Sequence, residues 1–100
     1  MRPNVTAFVY DRKGNLLSVG RNSYVKTHPV QAKAAKAVGQ EQRIYLHAEI
    51  HALVQIKDWQ DAYRIQVVRF GAKGEPLNAN PCEICRHVIN QTGIKRIEHT

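Results

Sequence analysis

The chain has 100 residues, of which 43% are hydrophobic and 23% charged, a size and balance that suit one compact domain over residues 1–100 and exclude a disordered chain. No apolar run approaches the roughly 18 to 20 residues of a bilayer span, so no membrane partner is expected. The formal net charge is +7, with cations scattered from Arg2 to Arg96 in no run longer than two, which suits either solvated faces or attraction to phosphate.

Two short β-rich runs open the chain. "VTAFVYD" (5–11) and "NLLSVGRN" (15–22) flank the turn segment "RKGN", which predicts an antiparallel hairpin. "THPVQAKAAKAVG" (27–39) then reads as a helix. Thr27 or His28 can cap it, Pro29 suits its first turn and Gly39 its end, with Val30, Ala34, Ala37 and Val38 on the apolar face. Leu46, Ile50, Leu53, Val54 and Ile56 keep helical spacing through a second helix from about His47 to Lys57.

"YRIQVVRF" (63–70) reads as a strand and "GAKGEPLNAN" (71–80) as a loop. Pro81 can open a third helix that buries Ile84, Val88 and Ile89 and stops at Gln91 or Thr92, before Gly93. "IKRIEH" (94–99) makes a last strand. The order β-β-α-α-β-α-β favours an α/β sandwich with one parallel strand pair. Trp59, Tyr63 and Tyr45 are read as packing aromatics, and His87 and His99 as surface residues.

Two helix starts hold nearly all the metal-capable side chains: "HAE" (47–49) and "PCEIC" (81–85). Cys82 and Cys85 are the only cysteines. With no export signal in the N-terminal sequence, they point to a reducing, cytoplasmic setting rather than a structural disulfide. Three chemistries stay open for them. A C-x-x-C pair beside a strand–helix unit can be redox-active. A closed structural zinc would need His51 or His87 as a fourth ligand. One imidazole and two thiolates alone would leave zinc an open position, as in a catalytic site, where the metal makes water a nucleophile near neutral pH. Glu49, two residues beyond His47, could then serve as the base.

"HAEIHAL" and "PCEICRHVI", with 31 residues between Glu49 and Pro81, resemble the cytidine/deoxycytidylate deaminase superfamily, whose H-x-E…P-C-x-x-C signature belongs to zinc nucleobase deaminases. "VGRN" and "GIKRIEHT" resemble that family's substrate-asparagine segment and the strand after its third core helix. The resemblance implies a three-layer α/β sandwich whose mixed central sheet of about four to five strands is flanked by helices. It implies Zn2+ on His47, Cys82 and Cys85, and Glu49 as the catalytic proton shuttle. Asn22 and the backbone at Ala48 and Pro81 would contact the substrate. The chain departs from the family pattern in having no helix before the first strand and in ending after the fourth strand. It also inserts the helix from Pro29 to Val38, which makes Lys26 and His28 candidate substrate contacts at the pocket mouth.

The implied activity is hydrolytic deamination of a cytosine-type base. Deoxycytidylate or a cytosine nucleoside ranks first, cytosine in single-stranded DNA or RNA second, and adenine in RNA third. A homo-oligomer is expected. The rival from another class is a non-catalytic, zinc-stabilised nucleic-acid-binding module.

Overall fold

The computed structural model describes residues 4–100. The expected absence of a helix ahead of the first strand concerns residues 1–3, and these, with Arg2, lie outside the described residues. Strands β1 (Asn4–Tyr10) and β2 (Leu16–Arg21) are followed by helices α1 (Pro29–Ala37) and α2 (Ala48–Val54), then strand β3 (Arg64–Phe70), helix α3 (Glu83–Ile89) and strand β4 (Arg96–His99). The element order is the expected one. In the hairpin turn the Asp11 carboxylate accepts from the backbone N–H of Lys13 and Asn15 at 2.9 and 2.8 Å. Gly14 there has a φ of +87°, a conformation that favours glycine.

The sheet order is β2-β1-β3-β4. β1 runs antiparallel to β2 and β3, and the α3 crossover returns the chain to place β4 parallel to β3. Strand alternation sends one set of side chains to the core. Ala7, Val9, Ile65 and Val67 are all fully buried on that face. Three rows run across it: Ser18–Val9–Ile65, Gly20–Ala7–Val67, and Val5–Arg69 extended by Asn22, whose N–H donates to Val5 O at 3.2 Å. The helices share the core built on this face through Ala34 and Ala35 of α1, Ile50 and Leu53 of α2, and Ile84, Val88 and Ile89 of α3. The opposite face carries half-buried Phe8, Tyr10 and Val68 and exposed Val19. This is the mixed α/β arrangement expected, with four strands and three helices.

Three local differences from the sequence reading have physical causes. α2 stops at Val54 rather than near Lys57, because the Trp59 indole donates to Leu53 O at 2.8 Å and Asp58 caps a separate 3-10 turn at Trp59–Asp61. α3 starts two residues after Pro81, with Cys82 as its N-cap, and it ends at Ile89 with Asn90 as its C-cap. On α1 the buried residues are Gln31, Ala34 and Ala35, while Ala37 is exposed. His28 is the α1 cap, its Nδ1 accepting from Val30 N at 3.1 Å.

Candidate active site

The helix that carries "HAE" is set directly on the sheet. At Gly20 a Cβ would lie 2.2 Å from Ala48 O and 2.3 Å from Ala52 N, so only glycine lets α2 sit this close to β2. Ser18 Oγ adds a bond to Ala52 O at 2.8 Å, and His51 Nδ1 accepts from Arg21 N at 3.0 Å. His47 is the N-cap of α2, but its ring makes no capping bond. A buried side chain on α1 fixes its backbone instead. Gln31 is fully buried, its Oε1 accepting from His47 N and its Nε2 donating to Arg43 O, both at 3.2 Å.

Freed from capping, the imidazole turns toward the start of α3. Its Nδ1 lies 3.2 Å from Cys85 Sγ and 3.5 Å from Cys82 Sγ. The three donor atoms all fall within 4.8 Å of one another, and among the described residues this is the group able to hold a metal ion. Zinc bond lengths of 2.0–2.3 Å in a tetrahedron separate nitrogen and sulfur donors by roughly 3.5 Å, which is the size of the gaps here. Both cysteines are free thiols. His51, engaged with β2, does not join the group, and His87 borders a separate hollow between α3 and the end of α1. The donor set is therefore the open, three-ligand kind.

The three acidic groups at the site are shifted in different directions. The Cys82 thiol is lowered to about 3, chiefly by a hydrogen bond from Cys85, against the effect of burial, and then by His47. Cys85 is pushed well above its usual range by that same bond and by burial. Glu49 is 6% exposed. Burial raises its carboxyl, and hydrogen bonds from its own backbone and from Cys85 only partly offset this.

Above the cluster opens a cavity of about 440 Å3, lined among others by His47, Glu49, Cys82, Asn22 and Ala48. It thus brings together most of the candidates read from the sequence. Asn22 Oδ1 accepts from Val5 N at 2.9 Å. Pro81 is buried and borders the hollow between α3 and the end of α1 instead. Lys26 and His28 are not in the cavity wall. Lys26 offers its backbone oxygen to Leu46 N at 2.9 Å, and His28 is the α1 cap. No residue of α1 lines the cavity.

Sequence reading missed Gln31, Arg69, Tyr24 and Tyr45. Tyr45 is 52% exposed at the cavity rather than packed. Two signals were present. Gln31 shares the i, i+3, i+4, i+7 spacing of Ala34, Ala35 and Val38, and Arg69 holds the same strand parity as Ile65 and Val67.

An imidazole and two thiolates at adjoining helix starts, with a buried glutamate beside them on an α/β sheet, define the class of zinc-dependent deaminases. The chain matches the family model of the cytidine and deoxycytidylate deaminase zinc-binding region over residues 1–99, and it belongs to that family. Among curated proteins none matches it significantly. No helix among the described residues is long and apolar enough to cross a membrane.

Proposed function

We propose that the protein deaminates a cytosine-type base by hydrolysis, with deoxycytidylate or a cytosine nucleoside as substrate. The observation that carries this is a buried carboxyl, Glu49, beside the three-donor cluster at one cavity. His47, Cys82 and Cys85 would hold zinc, which would supply the Lewis acidity that brings a water molecule near ionisation at neutral pH. Glu49 takes one proton from the attacking water and passes it to the ring nitrogen of the base; it then takes the second, from the hydroxyl of the resulting adduct, and delivers it to the departing amine. One water is consumed, the C–N bond to the exocyclic amine breaks, and a carbonyl and ammonia remain. Asn22 and the Ala48 backbone hold the base at the cavity wall. Pro81 acts by setting where α3 begins.

A cytoplasmic location and self-association complete the proposal. They are supported by the two free thiols and by Leu16, Leu17 and Val19, which expose 52%, 38% and 36% of their surface along edge strand β2. A second reading, cytosine within single-stranded DNA or RNA, draws on Tyr24 and Tyr45, which line the cavity and are 40% and 52% exposed, as stacking platforms.

The test is ammonia release from cytidine, deoxycytidine, their monophosphates, and single-stranded DNA and RNA. Glu49→Ala should keep its zinc and lose about 10²- to 10⁴-fold in kcat. If intact protein releases no ammonia from any cytosine or adenine compound, the non-catalytic nucleic-acid-binding module replaces the enzyme.

A further inference from the structure

Arg69 stands at a core-facing position of β3, in the row that runs through Val5 to Asn22. Two strand spacings separate it from Asn22, roughly 10 Å across the sheet. Its backbone is pinned: the N–H donates to Thr100 Oγ1 at 3.0 Å, and the carbonyl accepts from Leu77 N at 2.8 Å. Its guanidinium is not matched in the same way. Nε is buried and has no hydrogen-bond partner, and Nη1 makes a single long contact of 3.4 Å to Asn78 O. The ion pairs among the described residues, Arg64–Glu98 and Arg96–Glu98, leave it out. The one carboxylate in the cavity wall is Glu49, at the metal cluster.

A half-buried cation with no ion-pair partner is unfavourable in the protein alone, and an anion bound in the cavity that Arg69 lines relieves that cost through its charge, the buried Nε itself being closed to a ligand. We infer that Arg69 is the anion-binding residue of the cavity and takes the phosphate monoester of a nucleoside monophosphate whose base lies at Glu49. This rests on the deaminase reading above and narrows it from nucleoside to nucleotide. A planar guanidinium fork matches phosphate oxygens two at a time. The cavity, at about 440 Å3, is of the size that encloses a small ligand.

A polynucleotide would instead track a stripe of cations. In the cavity wall Arg69 has only Arg43 as cationic company apart from the metal-site histidine. Arg12, Lys13, Arg64 and Arg96 gather around another hollow, at the far end of the sheet beside the β1–β2 turn.

The experiment compares zinc-loaded wild type, Arg69→Gln and Arg69→Lys. The substrates are deoxycytidine 5′-monophosphate, deoxycytidine and a short single-stranded DNA containing one cytosine. Calorimetric binding of the first two to the Glu49→Gln protein, with and without Arg69→Gln, runs beside the kinetics. Wild type should prefer the monophosphate over the nucleoside by roughly 10- to 100-fold in kcat/KM. Arg69→Gln should abolish that ratio mainly through KM, and Arg69→Lys should restore part of it. The inference is overturned if wild type shows no preference for the monophosphate, if the ratio survives in Arg69→Gln, or if the oligonucleotide is the best substrate. Should Arg69→Gln fail to fold, the wild-type ratio and the lysine variant decide. Calorimetry separates the two proposals: if nothing is deaminated but the monophosphate binds through Arg69, only the deaminase reading falls.

Discussion

Glu49 and Gln31 show how single side chains set the chemistry and its cost. Burial holds the Glu49 carboxyl above its ordinary value of 4.5 in the folded metal-free protein. Below that value the group is protonated folded and unfolded alike and costs nothing. As pH rises past it, the unfolded chain releases a proton that the folded form keeps, and stability falls until the folded group also ionises. Glu49→Gln removes this penalty. In chelator-treated protein the variant should melt above wild type at pH 7 and level with it at pH 3, as thermal denaturation at the two pH values will report. Gln31 acts on the metal through the backbone of His47. Gln31→Leu leaves His47 N–H and Arg43 C=O without their partner, at about 1 kcal/mol for half-buried His47 and less for Arg43, which is exposed and can turn to water. A drop of about 10- to 100-fold in zinc affinity should accompany it, measured by competition with a chromogenic chelator.

At the scale of elements, the contact of α2 with β2 decides where the metal ligands meet. α2 is only seven residues long, too short to hold its shape from helix propensity alone. Its place comes from Gly20, Ser18 and the buried residues Ile50 and Leu53. In Gly20→Ala the new methyl meets backbone atoms of Ala48 and Ala52, which cannot swing aside as a side chain would. The variant should lose about 2 kcal/mol or more in urea denaturation. It should also bind zinc more weakly, because α2 carries His47. α1, read from sequence as an insertion over the pocket mouth, works from beneath. It packs against α3 and reaches the metal site through Gln31.

In the whole molecule the metal site is a cross-link between distant parts of the chain. His47 is 35 residues from Cys82 and 38 from Cys85, and the helices that carry them make few direct contacts. The strands beneath are joined over longer spans, with Asn4 paired to Phe70. Zinc that binds the folded form alone should add about 3–4 kcal/mol at 100 to 1,000 times its dissociation constant. Chelation should therefore lower the melting temperature and zinc titration restore it. A melting temperature insensitive to zinc would rule out this coupling.

Much of the site was legible because its chemistry is local. "HAE" and "PCEIC" are contiguous motifs, so the resemblance they carry names the zinc ligands and the glutamate, and hydrophobic periodicity with turn signals gives the order of elements. Helix ends were less legible. Trp59 closes α2 through a bond to Leu53, six residues back, that no periodicity encodes. Only the tertiary structure decided what surrounds the metal. Gln31 and Arg69 sit at core-parity positions where an apolar residue would be expected. Whether such a polar group is paired, as Gln31 is, or keeps a buried donor without a partner, as Arg69 does, depends on residues 12 to 16 positions away in one case and on the side chains that line the cavity in the other. Sequence determines which groups are present and their local geometry. Long-range packing determines which of them face one another.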